Sequence, residues 1–194
     1  MPSTPCVVAK RVLSLGVVTA WAAAGWAADP CVSGLKPGQR PGPYAAVVSV
    51  GPQRGQSHCF ICETADRPAV VVFARGLSDP LGKLVRGLDK ALTDHKAAEP
   101  RAWVTFLHED QSAFDPQVVD WAKKQAVRKV PLAVFEDEGG PPSYRLGREA
   151  EVTVLLFVKQ KVVRNFAFRA GELTEARVAE VLRAVPEILP AGKK

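Results

Sequence analysis

The run Pro68-Ala69-Val70-Val71-Val72-Phe73-Ala74 constrains this chain more than any other stretch. It is apolar at every position and rich in β-branched residues. A run with no polar alternation suits a strand covered on both faces, in the middle of an α/β sheet. The residues that follow, Arg75-Gly76-Leu77-Ser78-Asp79-Pro80, read as a turn and a helix start. Asp79 suits the cap and Pro80 the first turn, because proline lacks only an N–H that would be unpaired there. A chain of 194 residues suits one domain with extras. At 47% hydrophobic and 24% charged it has the material for a core.

The neighbouring segments extend that reading. Tyr44–Val50 and Ser57–Glu63 read as two strands joined by the turn-rich loop Gly51–Gln56, hence a hairpin. A helix is expected from about Pro80 to His95, with Leu81, Leu84, Val85, Leu88 and Leu92 on one stripe. Ala102–Leu107 is a strand. A second helix is expected from Asp115-Pro116, with Val118, Val119, Ala122 and Ala126 inward. Pro131–Glu136 is the next strand, and the Gly/Pro-rich segment Asp137–Gly147 reads as an exposed loop. Val152–Val158 and Val162–Phe168 form a hairpin across Lys159-Gln160-Lys161. Thr174 caps the last helix, with Leu173 and Val178 as a hydrophobic staple and Pro186 as its limit. The expected architecture is α/β, a central mixed sheet flanked by helices with an extra N-terminal β-hairpin. Its parallel pairs imply right-handed crossovers.

The N-terminus has the layout of a signal peptide. Lys10-Arg11 is followed by the uncharged stretch Val12–Ala24, then Gly25-Trp26-Ala27 with small residues three before and one before a cut. The competing reading is an uncleaved anchor, since the 17 uncharged residues 12–28 reach the low edge of a bilayer span. The expected division is 1–27 signal peptide, 28–43 Pro/Gly-rich lead-in, 44–188 domain and 189–194 tail. Cleavage removes Lys10 and Arg11 and leaves 24 basic against 20 acidic residues. That dispersed charge does not make the single basic stripe that nucleic-acid binding requires. After cleavage no membrane association is expected, and the location is periplasmic or secreted. No Gly-x-Ser-x-Gly elbow and no phosphate-binding loop points to hydrolase or nucleotide chemistry.

Cys59-Phe60-Ile61-Cys62 is the one chemically loaded motif. In an extended strand the two Cα atoms would stand roughly 10 Å apart, too far for a disulfide. Either the backbone turns at Phe60-Ile61 or the two do not bridge. Three readings follow, in this order: a redox-active or structural disulfide of the pair; structural cysteines, either buried as small apolar residues or with one paired to Cys31; or soft metal ligation of zinc or copper by His58, Cys59 and Cys62. Export permits disulfides, and a short loop closed by a disulfide adds little stability, which favours a clamp or redox role. The first reading makes residues 59–62 leave strand geometry and leaves Cys31 as the odd thiol, a route to a disulfide-linked dimer. His95 and His108 read as surface residues, and Trp103 and Trp121 as core.

The element order, the signal peptide and the Cys-x-x-Cys resemble the thioredoxin-like superfamily. The resemblance is to its redoxin branch of thiol peroxidases and exported thiol–disulfide reductases, over roughly residues 38 to 185. Gly38-Gln39-Arg40-Pro41-Gly42-Pro43 looks like the loop before the first redoxin hairpin, and Arg67–Ala74 like the first central strand. Val130-Pro131-Leu132 through Asp137-Glu138-Gly139, with Tyr144 to Leu146, looks like the segment before the last hairpin. The resemblance implies thiol–disulfide exchange on protein thiols or disulfides, with Cys59 and Cys62 as catalytic residues and no cofactor. A binding or structural module of the same fold is the alternative. The chain departs from the family in two places. Residues 75–80, where the family's redox cysteine follows the first central strand, contain no cysteine. The family's cis-proline position, near Glu151-Val152-Thr153, has no proline.

Overall fold

The computed structural model describes residues 29–190 together with Met1. The signal-peptide reading and residues 191–194 of the tail lie outside the described residues.

Seven strands form one sheet: β1 (Ala46–Val50), β2 (Ser57–His58), β3 (Ala69–Ala74), β4 (Arg101–Leu107), β5 (Leu132–Phe135), β6 (Val152–Val158) and β7 (Lys161–Phe168). Their order across the sheet is β2-β1-β5-β4-β3-β6-β7. The all-apolar run is β3, near the centre, parallel to β4 and antiparallel to β6. All six of its residues are buried. The β6–β7 hairpin turns on Lys159 and Gln160, both at positive φ, which is the backbone of the two-residue turn that matches strand twist.

The helices are α1 (Phe60–Thr64), α2 (Asp79–Asp94), α3 (Gln111–Lys124) and α4 (Glu175–Ala184). β3, β4 and β5 step across the sheet in one direction, so right-handed crossovers put α2 and α3 on the same face. Leu81, Leu84, Val85 and Leu88 of α2 share one core there with Phe114, Val118 and Trp121 of α3 and Val178 and Val181 of α4. Thr174 caps α4, and Leu173 and Val178 are both buried as the staple requires.

Among the described residues the opposite face has no long helix. Ala69, Val71, Phe73, Trp103, Leu155 and Phe157 make its core. The lead-in covers part of it, so that segment wraps and does not hang. Leu35 and Ser33 are buried, and Ser33 Oγ lies 2.6 Å from Thr153 Oγ1. Asn165 Nδ2 donates to the Ser33 and Leu35 carbonyls at 2.7 and 2.9 Å. Gly34 permits this approach: its φ is +84°, and a Cβ there would meet the Thr153 methyl at 2.8 Å.

Four local expectations are corrected. The second strand of the N-terminal hairpin is only Ser57–His58, and Phe60–Thr64 is helical. Ser78, not Asp79, caps α2, its hydroxyl accepting from the Leu81 N–H. Asp79 instead accepts from Gln125 Nε2 at 2.7 Å. α3 starts at Gln111 with Asp110 as cap, so Pro116 lies inside the helix. Phe114 and Trp121 are buried on it, whereas Ala126 is exposed past its end at φ 52°. Finally, the 137–147 loop is not wholly exposed: Tyr144 is fully buried and its hydroxyl donates to the Gly42 carbonyl.

The packing of α2 against the end of α3 depends on Gly82. A Cβ there would run into the Gln125 side chain, which is tied to Asp79 and to Arg86. Gly82→Ala gains helix propensity of about 1 kcal/mol but displaces a buried amide hydrogen-bonded at both its oxygen and its nitrogen. A net loss of about 1–2 kcal/mol is expected in urea denaturation.

Candidate functional site

The Cys-x-x-Cys sits on α1, between the end of β2 and the start of β3. Helix α1 has only five residues, too few to hold itself by hydrogen bonding alone. Its first turn is closed by the disulfide Cys59–Cys62, with the Cα atoms 5.4 Å apart. The expected turn at Phe60-Ile61 therefore exists, in helical form. Cys59 is the N-cap, and its Sγ accepts from the Cys62 N–H at 3.3 Å. Sulfur thus takes the place usually held by a Ser or Asp oxygen.

Side chains anchor the helix on both sides. Ile61 is buried in the core on the face opposite α2, α3 and α4. Phe60 stacks on Trp103 with centroids 5.6 Å apart and planes at 22°. His58 packs edge-on to Phe60, and its Nε2 lies 3.5 Å from Glu63 Oε2, at ion-pair distance but without hydrogen-bond alignment. At the C-terminal end, Thr64 Oγ1 donates to the Phe60 carbonyl at 2.9 Å. The Arg67 guanidinium donates to the Glu63 carbonyl and, at 3.2 Å, to the Thr64 carbonyl.

The two sulfur-bearing residues differ in exposure. Cys62 is exposed and Cys59 is half-buried. A groove of about 420 Å³ runs beside α1, lined by Phe60, Glu63, Thr64, Arg67, Arg101 and Trp103 among others. Cys31 is a free, half-buried thiol on the lead-in. Burial pushes it above the usual thiol range, partly opposed by Arg169. His58 faces Glu63, and among the described residues no cluster of three His, Cys, Asp or Glu side chains is arranged to hold a metal. His108 stacks on Phe114 and its Nδ1 accepts from the Asp110 N–H. His95 ends α2. Trp103 and Trp121 are buried, as core tryptophans should be.

Residues 75–80 lie at the other end of β3, roughly 17 Å from its start at a strand rise of about 3.3 Å per residue. Arg75 fills that end. Its guanidinium donates to the Ala150 carbonyl at 2.9 Å, to the Gly147 carbonyl at 3.2 Å and to the Glu138 carbonyl. Among the described residues no peptide bond is cis.

Solved structures share this fold. A Bacteroides thetaiotaomicron protein, provisionally described as a protein disulfide isomerase, superposes with TM-score 0.62 at 17% identity, over 82% of this chain and 94% of that one. A Chlorobium tepidum protein, provisionally described as the thiol:disulfide interchange protein DsbE, gives TM-score 0.54 at 17% identity over 78% and 99%. The yeast mitochondrial 1-Cys peroxiredoxin gives 0.55 at 14% over 78% and 75%. The fold is thioredoxin-like. No protein-family model matches the chain, and no curated protein matches it in sequence. Within the thioredoxin-like frame, the disulfide lies at the opposite end of the central strand from the place where the family resemblance puts a redox cysteine. Ala65 and the Phe60–Trp103 stack were missed by sequence reasoning, and Arg67, expected as a cation near the cysteine pair, instead donates to the Glu63 and Thr64 carbonyls.

Proposed function

We propose that this is an exported thioredoxin-like protein that exchanges disulfides with protein thiols through Cys59 and Cys62. The observation that carries the reading is a closed disulfide in a surface turn, with Cys62 exposed and Cys59 held at the helix cap. An incoming substrate thiolate attacks Cys62 Sγ. The Cys59–Cys62 bond breaks and Cys59 leaves as a thiolate, to which the Cys62 N–H donates. A second substrate thiolate then attacks the substrate sulfur of the mixed disulfide and expels Cys62, leaving an oxidised substrate and a reduced protein. The reverse sequence reduces a substrate disulfide.

Trapping tests this order. Cys59→Ser is expected to accumulate mixed disulfides at Cys62 with a disulfide-bonded protein substrate: the Cys62 thiolate attacks the substrate disulfide, expels one substrate thiolate, and has no Cys59 to resolve the adduct. Cys62→Ser is expected to trap at least ten-fold less, because Cys59 is the less accessible sulfur. Mass spectrometry of the non-reduced adducts reads the result. If reduced Cys62 resists alkylation and neither variant traps substrate, the alternative stands: a binding or structural module in which the disulfide caps α1.

Export rests on the Lys10-Arg11, Val12–Ala24 and Gly25-Trp26-Ala27 pattern. N-terminal sequencing of the protein from an exporting host is expected to begin at Ala28. Among the described residues no helix is long and apolar enough to cross a membrane. Cys31 is the candidate for a disulfide-linked dimer, formed slowly because its burial disfavours the thiolate.

A further inference from the structure

The turn after the disulfide opposes the helix that the disulfide closes. Ala65 has φ 49° and ψ −128°, a conformation that glycine adopts freely and alanine does not. It is the second residue of a turn closed by the Arg67 N–H to the Thr64 carbonyl at 3.1 Å. That backbone is the type II′ turn, which takes glycine at this position. Such a conformation persists only when its surroundings enforce it. Here the surroundings are the disulfide at the first turn of α1, Phe60 on Trp103, and the Arg67 guanidinium on the Glu63 and Thr64 carbonyls. Five residues cannot supply the rest.

We propose that Ala65 and Arg67 are positioning residues that set how readily Cys59–Cys62 is reduced. The inference rests on reading that pair as a working redox couple. While the bond is closed, α1 stays formed and Ala65 stays strained. A dithiol reductant delivers two electrons and two protons: the S–S bond breaks, both sulfurs become thiols, and the reductant leaves as its own cyclic disulfide. The N-terminal latch on α1 is then gone. Residues 60–66 loosen over Trp103 and Ala65 relaxes. Ala65 therefore favours the reduced form. Arg67, whose carbonyl contacts exist only while α1 is formed, favours the disulfide. Helix formation and disulfide formation stabilise each other by the same factor.

The two positions consequently have opposite signs, and this is the test. The full chain is equilibrated with a dithiothreitol redox buffer, and the oxidised fraction is read by alkylation and mass spectrometry. Ala65→Gly is expected to shift the equilibrium about tenfold toward the disulfide, equivalent to about 30 mV more negative. Arg67→Ala is expected to shift it about three- to tenfold the other way, with Arg67→Lys between the two because an ammonium lacks the guanidinium's two-armed fork. Should Arg67→Ala fail to fold, Ala65→Gly and Arg67→Lys carry the comparison. Hydrogen exchange supplies an independent readout. On reduction, amides 60–67 should lose protection while those of β3 keep theirs, and Ala65→Gly should restore protection to the reduced form. Equal protection of 60–67 in both redox states, or shifts below twofold, or shifts of the same sign, would overturn the assignment. These readouts need no protein substrate. Failed exchange with intact shifts therefore sinks the functional reading alone, and working exchange with unmoved equilibria sinks this one.

Discussion

Trp103→Ala is expected to lower stability by about 3–5 kcal/mol, the range for truncating a buried aromatic. Circular dichroism during urea denaturation measures it. Trp103 is 1% exposed. Phe60 stacks on it, Phe157 meets it edge-on at 6.0 Å, and its Nε1 donates to the Tyr44 hydroxyl at 2.8 Å. The substitution leaves a cavity directly beneath α1, on the face where, among the described residues, no long helix can collapse into the space. Trp103→Phe should cost less, because Tyr44 keeps Thr105 Oγ1 at 2.7 Å. The same cluster sets an alkaline limit. Burial pushes the Tyr44 and Tyr144 phenols up from their ordinary value. The folded state therefore binds their protons more tightly than the unfolded chain. Stability from these groups is intact below the unfolded value of about 10 and is lost as pH rises above it.

How much of this was legible depended on whether a segment's own chemistry decided its conformation. β3 was legible because six consecutive apolar residues can be satisfied only between two covered layers. α4 was legible because Thr174, Leu173 and Val178 are local signals, all within five positions of one another. Helix α1 was not legible as a helix. Ser57–Glu63 contains aromatic and β-branched residues that read as strand, and a five-residue helix leaves no periodic stripe to count. The geometric argument recovered part of it, since two cysteines that bridge at this spacing force the chain to turn. The start of α3 was misplaced for a related reason. Asp115-Pro116 repeats the chemistry of Asp79-Pro80, but Asp110 offers an equally good cap five residues earlier. Starting there brings Phe114 into the core beside Phe106 and Trp121. Burial of an aromatic outweighed the local preference of one proline. Arg67 and Arg75 were invisible as structural residues, because a guanidinium that caps distant carbonyls has the same sequence signature as one in solvent.

Arg75 carries the second large effect. Arg75→Met is expected to cost about 2–4 kcal/mol, again by urea denaturation, through lost charge-assisted hydrogen bonds and carbonyls left without donors. Three segments lose a common tie: Glu138 after β5, Gly147 in the following loop and Ala150 before β6. Arg75→Lys should recover only part of the loss, since one ammonium on a flexible stem cannot reproduce a planar fork reaching three carbonyls. The consequence for function separates the two ends of β3. If chemistry resides at Cys59 and Cys62, the folded fraction of Arg75→Met in a Cys59→Ser background should trap substrate at Cys62 as Cys59→Ser alone does, because Arg75 touches neither sulfur nor the groove beside α1. Loss of exchange in a variant that remains folded would instead place a needed element at the Arg75 end. In this chain that end holds an arginine bonded to loop carbonyls. Three of its five N–H donors are committed to those carbonyls, at the opposite end of β3 from the disulfide, and this is the physical reason for expecting the activity to survive.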